Sequence, residues 1–293
     1  MSKIVEVKLW GKTVGFLGFP KGSNITTFEY SDEFMTSNIF ISPITMKYPP
    51  KIHFFDDISQ RTFKGLAGVF ADSLPDKFGS QLIDQFMAQK GKTKDDITSL
   101  DRLLYVGNKG MGALEYYPLE LDDTPMGSLD ISLLSQLSDM VLEKKEILNS
   151  TIAKAHQREV AFNLIKIGSS AGGARAKAVV AKKVDGKLYD GTHIYKDETD
   201  TSYWLLKFDS SNNSDRDKKD PKGMTKVEYI YSLIVKDCDI DMPETDYISQ
   251  DGDFHFLIKR FDRIFIKERD KYEKLHYISW CGLMHAHRET TAQ

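Results

Sequence analysis

Cysteine is nearly missing from this 293-residue chain: Cys238 and Cys281 are the only two, far apart and without C-x-x-C spacing. Their scarcity excludes a disulfide framework and a thiolate zinc knuckle, and it fits a reducing compartment, the cytoplasm. No run approaches the roughly 18 apolar residues of a membrane span, and the opening MSKIVEVKLW lacks the apolar stretch of a signal peptide. The chain therefore reads as cytoplasmic, with no membrane partner. Charge of one sign is not in excess either, since 40 Lys and Arg face 43 Asp and Glu for a net −3. No global field recruits nucleic acid, so a DNA contact would come through a partner protein. What the chain does have is bulk: 41% hydrophobic residues, over a length that favours two domains.

The first part alternates in period two. KIVEVKLWGKTVGFLGF puts Val5, Val7 and Leu9 on one strand face, with a turn at Gly11–Thr13. Two amphipathic helices follow: one carries Phe78, Leu82, Ile83 and Phe86 and stops at Gly91, the other carries Ile97, Leu100 and Leu104 and stops at Gly107. These two helices are expected to pack on each other. Beyond a soft boundary at residue 127, the pattern gives helices at about 129–147 and 156–166. Next come a hairpin turning at Asp185-Gly186, a short strand HIYK, and a strand YWLLKF that fixes Lys207 on one face. The helix TKVEYIYSLIVKDC sets Val227, Ile230, Tyr231 and Ile234 on its apolar stripe, flanked by Glu228. A second hairpin turns at Asp251-Gly252, and LHYISWCGLMHAH reads as a helix apolar on nearly all sides. The fold class is α+β: a strand-rich N-terminal domain with helices over 1–127, a sheet-plus-helix lobe over 128–262, and a third segment over 263–293.

Between a helix and a strand lies GSSAGGARAK, residues 168–177: three glycines, two serines and two basic side chains with no large apolar group. Backbone N–H groups of such a loop can approach phosphate oxygens, a strand lysine supplies positive charge, and a helix carboxylate can hold that lysine in place. Gly168, Ser169, Ser170, Gly172 and Gly173, then Lys207, then Glu228 occur in that order. Plainer readings exist beside this one: an ordinary helix-to-strand loop, an exposed strand lysine, and a salt-bridged strand end at Arg260, Asp262 and Arg263. The GKT triplets at 11–13 and 91–93 lack the upstream glycine of a P-loop. Cys281, His285 and His287 have a metal-like spacing that reads as packing, and no metal ligands are assigned.

The chain resembles the HipA-type toxin kinases through WGKTVGFL, FADSLPDKFG and LLYVGNKGMGALEYYP in its first part and GSSAGGARAKA, YWLLKFD, KVEYIYS and KRFDR in its second. The resemblance implies a protein-kinase-like nucleotide-binding lobe, with ATP and Mg²⁺ as cofactors and serine/threonine phosphorylation as the activity. Lys207 would contact the nucleotide phosphates, Glu228 would hold it, Gly168–Gly173 would form the phosphate loop, and Arg260 and Phe261 would lead toward the adenine hinge. Ser169 or Ser170 would be the autophosphorylated serine that switches the family's kinases off. The implied partners are a HipB-like antitoxin with a helix-turn-helix DNA-binding domain and a protein substrate such as an aminoacyl-tRNA synthetase. The family's catalytic aspartate and metal ligands follow in a C-lobe whose pattern breaks off after Ala286 here, so the chain is expected to be catalytically incomplete and to bind the nucleotide weakly. DGDF at 251–254 reads as a hairpin turn, not as their replacement. The alternative function is a binding module that engages an antitoxin or regulates an intact kinase.

Overall fold

The computed structural model describes residues 3–121, 124, 127–143, 163–168, 175–195, 200–210 and 221–286. The chain divides into two units that interleave along the sequence. The first takes Met1–Leu74, Ile97–Asp122 and Lys274–Gln293, and the second Pro75–Asp96 and Asp123–Glu273. Both carry an antiparallel sheet with helices, as the α+β reading requires. Among the described residues no helix is long and apolar enough to cross a membrane.

In the first unit the strands are β1 (Ile4–Leu9), β2 (Lys12–Gly18), β3 (Thr27–Tyr30), β4 (Ile52–His53) and β5 (Leu114–Tyr117), in the order β4-β3-β2-β1-β5. The β1–β2 turn lies at Trp10 and Gly11, both at positive φ (51° and 79°), as a tight two-residue hairpin demands, and not at the expected Gly11–Thr13, because Lys12 and Thr13 already pair with Leu9 and Lys8 in the ladder. Val5, Val7 and Leu9 all face the core with Phe28, Tyr30 and Phe70. Each such side chain contributes about 1.5–3 kcal/mol by leaving water. Helix Ser99–Val106 opens on a capping box, Thr98 with Asp101, and closes at Gly107, whose φ is 56°.

Residues 274–286 complete this unit. Ser279 caps a five-residue helix, Trp280–Met284, and the carboxylate of Asp72 accepts from both the Ser279 N–H (2.6 Å) and its hydroxyl (2.9 Å). The backbones of Gly68 and Gly282 cross so closely that a Cβ on Gly68 would sit 2.1 Å from the Gly282 carbonyl oxygen. The expected helix over 275–287 is thus much shorter, because the chain enters it extended and leaves it at His285, whose φ is 50°. Ile278 and Cys281 pack on the core, while Trp280 stays 68% exposed.

The second unit holds the sheet β7-β6-β8-β10-β9, built from β6 (Lys177–Lys183), β7 (Leu188–Asp190), β8 (Thr201–Lys207), β9 (Thr245–Gln250) and β10 (Asp253–Lys259), plus a hairpin of β11 (Arg263–Ile266) with β12 (Lys271–Lys274). Gly186 lies at positive φ in the first expected turn, and Asp251 and Gly252 both do in the second. The described part of HIYK is not a strand: residues 193–195 are irregular, the Tyr195 N–H donates to the Tyr203 hydroxyl instead of to a ladder, and Lys196 lies outside the described residues.

Two helix expectations are corrected. Lys77–Gln89 and Ser99–Val106 do not form a pair. The first belongs to the second unit, where it lies against Ile131–Leu142, and the other lies on β5 in the first unit. Helix Met224–Asp237 is turned over. Its Thr225 and Ser232 are buried, whereas Val227, Ile230, Tyr231 and Ile234 are 41–63% exposed. The inward face at i, i+3, i+4 and i+7 is Thr225, Glu228, Tyr229 and Ser232, held by hydrogen bonds and ring contacts to β9 and β10.

Candidate functional site

Lys207 is the last residue of β8, and antiparallel pairing puts Lys177 of β6 opposite it on one side and Phe256 of β10 on the other. Residues directly opposite share a sheet face, so the two lysines lie side by side, and the Lys207 Nζ is 5.7 Å from the centroid of the Phe256 ring on its other side. Like charges in that position repel unless each is compensated. Each is. The Lys207 Nζ lies 2.5 Å from the Glu228 Oε2, and the Lys177 Nζ lies 2.7 Å from the Asp76 Oδ2. The outer pair is about a third exposed, while the side chains of Lys177 and Asp76 are 3% and 7% exposed. Burial pulls Lys177 below the usual lysine range and pushes Asp76 above the usual carboxylate range, with their mutual attraction opposing both.

Glu228 is fixed by the way its helix is attached. Asp209, two residues beyond Lys207, accepts from the Gly223 N–H (3.0 Å) at the helix start and from the Phe254 N–H (3.2 Å) on β10. Its own N–H donates to the Nδ1 of His255 (3.0 Å), so that nitrogen carries no proton, and burial lowers the His255 pKa. The Thr225 hydroxyl donates to the Phe254 carbonyl (2.5 Å), and Ser232 shares a hydrogen bond with Thr245 (2.9 Å). Strand end, helix start and hairpin are locked by one carboxylate.

Gly168 ends a helical segment at 163–168, and a Cβ there would meet Leu82 and Phe78 at 2.9 and 3.3 Å and the Lys177 carbonyl at 3.3 Å. The glycine is required for packing against Lys77–Gln89 and β6. Ser169, Ser170, Gly172 and Gly173 lie outside the described residues. Arg260 and Phe261 follow β10, and the Arg260 N–H donates to the Tyr203 carbonyl, four residues from Lys207 on β8. At about 3.3 Å per residue, that is some 13 Å along the strand, so Arg260 is not brought to the lysine. Its guanidinium instead makes a bidentate pair with Asp262 (2.9 and 2.7 Å), which Arg263 joins at 2.6 Å, all with fully buried side chains. Phe261 is 52% exposed in the turn between them.

The sequence reading missed Asp76 and Lys177 as site residues. Their signals were present, an aspartate before a helix in SLPDKFG and a lysine beginning an apolar strand, but nothing local links residues 101 positions apart.

Residues 5–117 match the family model for the HipA N-terminal domain, and residues 169–293 match that for the HipA-like C-terminal domain. The chain belongs to the HipA family. A solved HipA from Shewanella oneidensis MR-1, of a toxin-antitoxin system in complex with HipB and its operator DNA, is similar at 15% identity with a TM-score of 0.56, over 99% of this chain and 61% of that one. That likeness concerns the HipA fold, and this chain spans about three fifths of that HipA's length. No curated protein matches. In HipA terms, the N-terminal domain match covers the first sheet, and the C-terminal match contains Lys177, Lys207 and Glu228.

Proposed function

We propose that this chain supplies the nucleotide-binding part of a HipA-type serine/threonine kinase toxin and binds ATP with Mg²⁺. The observation that carries the reading is the Lys207–Glu228 ion pair between a sheet and a helix. It is the arrangement that presents a lysine to nucleotide phosphates. The residues fit the ligand: two adjacent cations, each with its own carboxylate, stand beside the end of the glycine-rich segment. Lys207 would bind and orient the phosphates, and Glu228 would keep Lys207 extended. Bound ATP would supply the transferable phosphoryl group. Among the described residues no group of three His, Cys, Asp or Glu side chains is arranged to hold a metal. In this reading Mg²⁺ arrives with the phosphates.

Ser169 or Ser170 would be the autophosphorylated serine, where nearly two added negative charges would repel the nucleotide. The protein partner would be a HipB-like antitoxin, in keeping with the HipB in the Shewanella complex, and the substrate a translation protein such as an aminoacyl-tRNA synthetase. With a net charge of −3, operator contact would run through the antitoxin.

Titration calorimetry with ATP and Mg²⁺ tests the reading. The wild type should bind, and Lys207→Ala should weaken binding by roughly tenfold or more, the worth of a charge-assisted contact. No wild-type binding, or an unchanged Lys207→Ala, overturns it. A second reading, a module that engages an antitoxin without transferring phosphate, is favoured by the exposed stripe Val227, Ile230, Tyr231 and Ile234. Phosphate found on Ser169 or Ser170 by mass spectrometry, in protein prepared free of other kinases, excludes it.

A further inference from the structure

The motif SLPDKFG belongs to no function assigned so far, yet its aspartate does two things at once. The Asp76 Oδ1 accepts from the Gly79 N–H at 2.6 Å and caps helix Lys77–Gln89, while its Oδ2 holds the Lys177 Nζ at 2.7 Å. The carboxylate cannot follow the lysine elsewhere without giving up the cap. Lys177 in turn is opposite Lys207 in the β6–β8 register. The charges therefore run in a row, Asp76, Lys177, Lys207, Glu228, negative at both ends and positive at the two central places.

We propose that Asp76 is a positioning residue of the nucleotide site: from the start of its helix it fixes Lys177 beside Lys207, so that the sheet presents a double cation to the phosphates. The inference rests on the nucleotide reading of Lys207 and Glu228. Its physical core is independent of it. A lysine whose side chain is 3% exposed, next to another cation, holds its proton less firmly when no carboxylate compensates it. The charged groups that act on Lys177 are Asp76 and Glu228, which favour its charge, and Lys207, which opposes it. With Asp76 in place, both central charges persist and a phosphate meets a strong positive potential. Without it, Lys177 gives up its proton as pH rises, the row keeps a single central cation, and phosphate binding weakens. At lower pH Lys177 is protonated and uncompensated, and binding becomes tighter than in the wild type.

The experiment compares Mg²⁺-ATP affinity from about pH 6.5 to 9.5, a window chosen to bracket a lysine lowered by burial. The proteins are the wild type, Lys207→Ala, Asp76→Asn, Lys177→Met and the double variant of the last two. Asparagine keeps a side-chain oxygen for the helix cap and removes the charge. Each affinity is expressed relative to the wild type at the same pH, which cancels the titration of ATP itself. The expected result is a ratio for Asp76→Asn that falls as pH rises, from above one to roughly tenfold below it, one charge-assisted contact. In the Lys177→Met background the ratio should be flat, and adding Asp76→Asn should change nothing. A ratio for Asp76→Asn that stays at one across the range overturns the proposal, as does a slope that survives in Lys177→Met. Asp76→Ser, which also caps helices, replaces Asp76→Asn if the latter does not fold. If neither single variant folds, Lys177→Met against the double variant decides: equal affinities support the proposal and a further loss overturns it. If the wild type fails to bind ATP, or Lys207→Ala binds as well as the wild type, the nucleotide reading falls first.

Discussion

Asp209 shows how much a single buried side chain can organise. It is 6% exposed and accepts backbone N–H groups from Gly223 and Phe254. Asp209→Ala would leave both donors without that acceptor, and at about 1–3 kcal/mol for each buried group it should lower the unfolding free energy by about 2–6 kcal/mol. The check is a shift in the urea midpoint with an unchanged slope. Gly68 is a case of the opposite kind, where an added methyl does the damage. A Cβ there would collide with the Gly282 carbonyl at 2.1 Å, a backbone atom with no rotamer to yield. Gly68→Ala should cost about 3 kcal/mol, the upper end for overpacking, read in the same denaturation experiment. Residues of this kind were partly legible in the sequence. Lys207 and Glu228 could be paired from strand parity and helix order, and the structure joins them. Asp76 and Lys177 could not, because a buried ion pair formed over 101 positions leaves no local pattern.

At the level of elements, alternation and capping translated directly into structure. The β1–β2, β6–β7 and β9–β10 hairpins turn at their glycines, and helix Ser99–Val106 runs from its Thr98 cap to Gly107. Helix Met224–Asp237 defeated the periodicity argument, because apolar spacing assumes that burial of hydrocarbon decides which face turns inward. Here the inward face is polar and aromatic, fixed by Thr225 to Phe254, Ser232 to Thr245, and Glu228 to Lys207. The helix therefore makes an inverted prediction. Ile230→Lys and Ile234→Lys should change stability by no more than about 0.5 kcal/mol, as exposed substitutions do. Ser232→Val should cost about 1–2 kcal/mol by leaving buried hydrogen-bonding groups unmet. Thermal denaturation of the three variants ranks them, and the reverse order would return the apolar stripe to the core.

For the whole molecule, histidine sets the acid limit of stability. Burial holds His53, His255, His276 and His285 below the ordinary histidine range. Two of them also accept from backbone N–H groups, His255 from Asp209 and His285 from Gly68, each at 3.0 Å. Below about pH 6.5, the ordinary histidine value, the unfolded chain takes up protons that the folded chain refuses. Their contribution is thus complete above that pH and lost as pH falls toward the depressed folded-state values. The urea midpoint should drop steadily between about pH 7 and 5, and a flat profile would show that these rings stay hydrated. The interleaving of the two units was not legible, since each stretch looks locally self-sufficient and only long-range contacts assign 75–96 to one unit and 274–293 to the other. That return of the chain has a consequence for the order of assembly during synthesis. Asp72 and the Gly68 N–H wait for Ser279 and His285, so the first unit cannot close when residue 122 leaves the ribosome. At roughly 5–20 residues per second its partner segment emerges about ten to thirty seconds later, after the whole second unit. Residues 3–74 and 97–121 of the first unit are therefore made before the bulk of the second unit yet complete their packing after it, and during that interval Gly68 and Asp72 are open to chaperones.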